Sequence, residues 1–315
     1  MHKNKLFQRA KLHSNEKIAI EDNDGKYTYK ELEQKSNSIA KKLLELENKS
    51  DLKEKRIVFI TNKDFLYPTI QWGIWKAGGI SVPLSKKNNK NDHLEKIKDS
   101  QAYCLITPKD LKQKFGYLTQ ETNLKEIIVT KKIKKNRKIK LPQIQKERRA
   151  QILYTSGTTG QPKGVVTTHK NITAQITSLI EAWNWSKKDK ILNTLPLNHA
   201  HGVINILSCA LWSGATCKMM KGFEPEKVWK TFINDKLTLF MGVPTMYHQL
   251  LKEYQQSEKE VQNKMRSSCN KFRLMVSGSA PLSPSLFKKW KEITGIELLE
   301  RYGTTETLMI LSNPA

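Results

Sequence analysis

Residues 154–164, YTSGTTGQPKG, combine what is needed to hold a polyphosphate. Gly157, Gly160 and Gly164 let backbone N–H groups approach an anion closely. The hydroxyls of Thr155, Ser156, Thr158 and Thr159 can rotate to donate to phosphate oxygens, and Lys163 supplies a compact positive charge. The spacing is not GxxxxGK[ST], because Pro162 stands where the second glycine belongs, and it is not GxGxxG. A plain Gly/Ser/Thr surface turn is the simpler alternative. Eleven residues of this composition, between a strand-like run and a helical pattern starting near His169, argue against it.

Three shorter clusters also follow strand-like runs. The first, Asn198-His199-Ala200-His201-Gly202, is weak alone, since a histidine after a strand is more often structural than a ligand. In the second, Ser277-Gly278-Ser279-Ala280, small residues let the backbone approach a flat ligand, although such turns are common. The third is Glu300-Arg301-Tyr302-Gly303-Thr304-Thr305-Glu306. Its guanidinium can hold a carboxylate through paired hydrogen bonds, with an ordinary ion pair to Glu300 as the plainer role.

These clusters need a scaffold that brings strand ends together. Strand-like runs fall at 56–61, 80–84, 103–107 and 126–130, and again at 152–155, 190–195, 215–220, 237–242, 273–278 and 296–302. Helical patterns lie between them, for example at 70–75 and 284–294, and Thr28 with Glu31 has capping-box form. The apolar runs are continuous, as buried parallel strands require. The expected fold class is therefore α/β, with two packed βα-alternating, mostly parallel sheets and helices on both faces. In such sheets chemistry sits at the carboxyl ends of the strands. The two halves are expected at 1–150 and 151–315, with the basic run 131–149 as a solvated linker.

The 315 residues carry a net charge of +25, from 55 Lys and Arg against 30 Asp and Glu. That excess raises the question of nucleic acid. The lysines are spread along the chain, and no aromatic residues interleave with the 131–149 run to stack bases, so no nucleic-acid partner is expected. No apolar run approaches a membrane span. Cys104, Cys209, Cys217 and Cys269 form no CxxC pair and read as buried thiols. Residues 1–15 are basic and free of acids, so they suit either a mitochondrial presequence or a first structured turn through Leu6, Phe7, Ala10 and Leu12. The compartment stays open between cytoplasm and mitochondrion.

The loop at 154–164 resembles the signature loop of the adenylate-forming superfamily, which includes acyl-CoA synthetases, luciferases and peptide-synthetase adenylation domains. The resemblance runs from about residue 6 to the end and implies ATP, Mg2+ and coenzyme A. It implies that Thr155, Ser156, Gly157, Thr158, Thr159, Gly160 and Lys163 hold the β- and γ-phosphates. Ser277, Gly278 and Ser279 would line the adenine and acyl sites. Tyr302, Gly303, Thr304 and Thr305 match the family's YGxTE, with Tyr302 against adenine, Thr305 on the α-phosphate and Glu306 on the metal. His199 would pack at the acyl pocket.

Within the superfamily, His201, Arg301 and the turn at Ser277 most resemble malonyl-CoA synthetases. There the matching arginine and histidine contact the free carboxylate of malonate. Thr304 departs from the subfamily's usual Met. The expected reaction joins malonate to coenzyme A through an acyl-adenylate, releasing AMP and diphosphate. A short- or medium-chain acyl-CoA synthetase and a non-catalytic nucleotide-binding remnant are the alternatives. No TGD motif is present, so the chain is expected to lack the ribose ligand and the mobile C-terminal domain with its catalytic lysine. It is accordingly expected to turn over poorly alone, or to work with a complementing C-terminal chain.

Overall fold

The computed structural model describes residues 5–13, 15–46, 48–133, 140–156, 162–313 and 315. Its contacts divide the chain into two compact units, residues 1–174 with 196–200, and residues 175–195 with 201–315. The division falls at 174 rather than the expected 150. The reason is pairing: the strand that starts at Arg149 is hydrogen-bonded in parallel to a strand of the first unit and belongs to its sheet.

The first unit opens with a short helix, Leu6–Arg9, in which Leu6 and Phe7 are buried. That burial favours the structured-turn reading of this segment. Strands β1 (Ile18–Asp22) and β2 (Gly25–Thr28) then form an antiparallel hairpin. Thr28 caps the helix Tyr29–Glu45: its hydroxyl accepts from the Glu31 N–H at 3.1 Å, and the Glu31 carboxylate accepts from the Thr28 N–H at 2.7 Å. This satisfies two of the free donors at the helix start.

Strands β3 (Arg56–Phe59), β4 (Ile80–Pro83), β5 (Cys104–Pro108), β6 (Lys125–Val129), β7 (Arg149–Ser156) and β8 (Pro162–Thr168) make a sheet in the order β6-β5-β3-β4-β7-β8. All pairs are parallel except β7 with β8. The helix Leu66–Lys76 is buried along its whole length, which its nearly uninterrupted apolar sequence anticipates. It packs so closely on Tyr29–Glu45 that a Cβ at Gly73 would lie 2.7 Å from Ile39 Cβ. Lys76 ends that helix fully buried, its ammonium held by Glu33, Ser36 and Asn37.

The basic run 131–149 is less solvated than expected. Lys131 lies among Asp22, Asp24 and Asp64, at 2.7, 2.6 and 3.2 Å. Arg148 forks onto Asp51 and donates to the Gly78 carbonyl, Arg149 pairs with Glu54, and Ile144 is buried. The expectation for 134–139 lies outside the described residues. The paired charges are positions where the run folds back on its own unit.

The second unit contains β9 (Lys190–Asn193), β10 (Thr216–Met219), β11 (Leu239–Gly242), β12 (Leu274–Ser277), β13 (Leu298–Thr304) and β14 (Leu308–Ser312), in the order β14-β13-β12-β11-β9-β10. Every pair is parallel except β13 with β14. The helices Pro225–Asn234, Pro244–Gln256, Lys259–Cys269 and Pro284–Thr294 bury an aromatic core against this sheet, with Trp229, Phe232, Phe240, Tyr247 and Trp290 at its centre. All four cysteines are buried. No described helix is long and apolar enough to cross a membrane.

Candidate active site

In the first unit, Thr155 near the end of β7 faces Lys163 at the start of β8. The phosphate-type loop therefore joins an antiparallel hairpin, whereas the sequence suggested a strand running toward a helix. Residues 157–161, with Gly157, Thr158, Thr159 and Gly160, lie outside the described residues, as does the side chain of Ser156. Lys163 is exposed and Thr155 half-buried.

The root of this hairpin is pinned. Tyr154 donates through its hydroxyl to Asp99 at 2.5 Å and to the Lys96 carbonyl at 3.1 Å, on the helix Lys90–Asp99. Its cross-strand partner is Gly164, and a Cβ there would come within 3.3 Å of the Tyr154 ring. Gly164 thus makes room for the ring that fixes the loop's base. His199, also in the first unit, is exposed beside Asn198, whose side-chain nitrogen lies 3.4 Å from His199 Nε2.

His201 belongs to the second unit and is buried. It starts a wide π-helical stretch, His201–Ser208, in which the Ser208 hydroxyl donates to the Val203 carbonyl at 2.7 Å. Asn193 at the end of β9 holds the start of this stretch by donating to the Gly202 carbonyl at 3.1 Å. The two histidines of the HxHG cluster are thus assigned to different units.

Ser279, Arg301 and His201 come together. Arg301 donates from its terminal nitrogen to Ser279 Oγ at 3.0 Å, and His201 Nδ1 lies 3.2 Å from the same oxygen. Alternation along β13 turns Arg301 inward and Glu300 and Tyr302 outward, so the simple Glu300–Arg301 ion pair does not form. Glu300 instead accepts from the Leu282 N–H at 3.2 Å. Among the described residues, Arg301 Nε, His201 Nε2 and the Ser277 hydroxyl are buried without a hydrogen-bond partner. Native interiors seldom leave such groups unpaired, and two of these atoms belong to the side chains that meet at Ser279, which suits a place for a polar ligand.

Gly278 makes this cluster possible, because a Cβ there would overlap Arg301 Nε and lie 2.7 Å from Cζ. Burial lowers Arg301 to about 10, which leaves it a cation at neutral pH. Burial, then the charge of Arg301, pushes His201 well below the ordinary imidazole value, so His201 is neutral there. A cleft of about 610 Å3 opens beside Arg301, lined by residues 279–281, 300–303 and 311–313.

Tyr302 is 60% exposed. The Thr304 and Thr307 side chains brace the turn after β13, with their hydroxyls 2.9 Å apart and each accepting from the other's backbone N–H. Thr305 is half-buried and Glu306 exposed at this turn. Gly303 serves packing here: a Cβ would overlap the Leu308 carbonyl oxygen and lie 2.8 Å from Met309 Cα. Gly303→Ala is expected to loosen β14 by about 2 kcal/mol, the cost typical of overpacking. Amide exchange at Leu311 should then speed up at least tenfold, and unchanged exchange would show that the close approach is not limiting.

The Asp22, Asp24 and Asp64 carboxylates are the group of three found close enough to share a metal ion among the described residues. Lys131 already supplies their positive charge. Sequence reasoning missed this cluster, although the Asp24-Gly25 pair marks the hairpin that carries two of its three carboxylates.

The chain belongs to the AMP-binding enzyme family, which matches residues 6–315. It is 39% identical over 323 residues to the mitochondrial malonate–CoA ligase of Homo sapiens, covering 98% of this chain and 56% of that one. It is 31% identical to a malonate–CoA ligase of Arabidopsis thaliana, covering 95% of this chain and 55% of the relative. Among solved structures it superposes on ATP-bound MatB from Rhodopseudomonas palustris with a TM-score of 0.84 at 26% identity, over all of this chain and 62% of that one. The chain thus spans about half the length of the curated relatives it matches. The α/β architecture of two mostly parallel sheets is that of these ligases.

Proposed function

We propose that the chain is the nucleotide- and acid-binding part of an ATP-dependent malonate–CoA ligase. The observation that carries the choice of acid is the buried Arg301 guanidinium, which has no carboxylate partner among the described residues and stands beside a neutral His201. A fixed cation of this kind suits the second carboxylate of a dicarboxylic acid. A fatty acid would need an apolar tunnel at the same place. The names of the human and Arabidopsis relatives point the same way.

In this reading Lys163 and the loop from Thr155 to Gly160 take the β- and γ-phosphates. His199 helps position the reacting carboxylate, while Arg301, His201 and Ser277 take the distal one. Tyr302 with Ser277, Gly278, Ser279 and Gly303 lines the adenine side, and Thr305 donates to the α-phosphate. Glu306 offers one hard oxygen donor on a braced turn, which suits Mg2+ held jointly by a carboxylate and substrate phosphates. Bound there, the ion would neutralise phosphate charge. The chain's own contribution is to bind the acid and the nucleotide. The human relative is named as mitochondrial, and we propose the same compartment for this protein.

The test is acid-dependent exchange of labelled diphosphate into ATP by the full-length protein, followed by CoA-dependent release of AMP. Malonate should exceed propionate and octanoate by about 10,000-fold in kcat/KM, the size expected when a site is built around a polar group the competitor lacks. A monocarboxylate used as well as malonate would overturn the dicarboxylate reading and favour the short- or medium-chain alternative.

A further inference from the structure

Ser279 is a residue whose backbone should be glycine. Its φ is +69°, in the left-handed region that side chains avoid, and it follows directly after Gly278 in a turn of small residues. Strain of this kind persists where the side chain has a task that glycine cannot perform. The Ser279 side chain offers only a hydroxyl, and that hydroxyl meets two groups, Arg301 at 3.0 Å and His201 Nδ1 at 3.2 Å.

The donor inventory fixes the direction of the first bond, and the hydroxyl hydrogen left over points to the direction of the second. A guanidinium can only donate, so Ser279 Oγ accepts from Arg301. The hydroxyl hydrogen remains, and His201 Nδ1 is the acceptor within its reach. An imidazole that accepts at Nδ1 carries its hydrogen at Nε2. His201 Nε2 and Arg301 Nε are both buried without a partner among the described residues. With the hydrogen placed this way, both present N–H donors and neither presents a lone pair.

We infer that Ser279 is a positioning residue: its hydroxyl sets His201 in the Nε2–H form and holds Arg301 in line, so that the pair takes an ionised carboxylate and rejects the neutral acid. The inference rests on the dicarboxylate reading for the identity of the ligand, and on geometry alone for the tautomer. His201 is uncharged at neutral pH through burial and the neighbouring cation, so its hydrogen is a matter of tautomer and not of protonation. The alternative, an Nδ1–H imidazole donating to Ser279, would turn a buried Nε2 lone pair toward the ligand and repel a carboxylate.

The chain has seven histidines, few enough for the imidazole nitrogens to be resolved by long-range 1H–15N correlation in a protein labelled at histidine. His201→Gln identifies the signal. At pH 7.5 His201 should show the Nε2–H pattern. In Ser279→Gly, which removes the hydroxyl and relieves the backbone, it should shift to a mixture of both tautomers while the other histidines stay in place. An Nδ1–H or doubly protonated His201 in the unsubstituted protein overturns the inference. So does a His201 signal that Ser279→Gly leaves unchanged. In the full-length protein, Ser279→Gly should raise KM for malonate about tenfold with kcat within twofold, since the contact is made to bound substrate throughout. A fall confined to kcat would overturn the positioning role. The imidazole spectrum needs no substrate, so failure of the tautomer assignment and failure of the malonate reaction are separate results.

Discussion

Arg301→Leu should lower kcat/KM for malonate by a factor of about 100 to 5,000 in the full-length protein, and leave use of propionate within a few-fold. The size follows from what the substitution does to a bound dicarboxylate. The distal carboxylate would sit against leucine with its charge unmatched, and leaving a buried charge without its partner costs roughly 3–5 kcal/mol. Propionate carries no second carboxylate and loses nothing of that kind. The same substitution should leave the folded protein as stable as before, or more stable by about 1 kcal/mol. Arg301 is 7% exposed, and its ligand-free state holds a cation with no carboxylate beside it. Loss of malonate use together with an unchanged or raised Tm is the mark of a residue kept for binding. Equal losses for malonate and propionate, or a fall in Tm of several degrees, would remove Arg301 from the acid site and make it a structural residue.

Much of the scaffold behind this prediction was legible in the chain. The runs at 56–61, 80–84 and 103–107 became β3, β4 and β5 because uninterrupted apolar residues suit only strands covered on both faces. The Thr28–Glu31 box formed because its two side chains satisfy backbone groups within four residues, with no help from the rest of the fold. The elements that escaped are the antiparallel ones. The strand β8 holds Val165, Val166, Thr167 and Thr168, a β-branched run that a glycine-rich loop on one side and a helix on the other disguise. The strand β14 alternates poorly, with Ile310 and Leu311 both exposed, so its period carried no signal.

The site divides in a similar way. The residue types around Ser277, Ser279 and Arg301 named the chemistry, and burial then told the ligand from the bystander. Only the alternation of β13 shows that Arg301 faces inward while Glu300 faces out. The bridge through Ser279 joins positions far apart in sequence, and no local pattern encodes it. The charge count misled in one respect. A run of lysines and arginines suggests a solvated face, but Lys131, Arg148 and Arg149 are each answered by a carboxylate distant in sequence.

The largest loss of stability in the second unit is expected from Asp189→Ala. Asp189 is 3% exposed and accepts five hydrogen bonds, one of them from the Ser186 hydroxyl at 3.3 Å. Arg273 forks onto it from Nε and a terminal nitrogen at 2.9 and 2.8 Å, Thr238 donates at 2.8 Å, and the Ser186 N–H at 2.7 Å. These partners tie the start of β9 to the segments that lead into β11 and β12, at the end of the sheet away from His201. Burial alone would raise this carboxyl. The Arg273 fork, the Ser186 N–H and the Thr238 hydroxyl outweigh it and hold the group below its ordinary value. Removing the carboxylate leaves the Ser186 N–H and Thr238 hydroxyl without their partner and half-buried Arg273 without its counter-charge, a loss of about 3 kcal/mol once partial solvation of the arginine is allowed for. The pH dependence has a definite sign. A carboxylate whose folded pKa lies below its unfolded value contributes fully above about pH 4, and its contribution fades as the pH falls through the folded value. The stability gap between the unsubstituted protein and Asp189→Asn should therefore be constant from pH 5 to 8 and narrow below pH 4. Denaturant unfolding across that range measures it. A gap that stays constant down to pH 2 would mean that Asp189 contributes through shape and not through its charge.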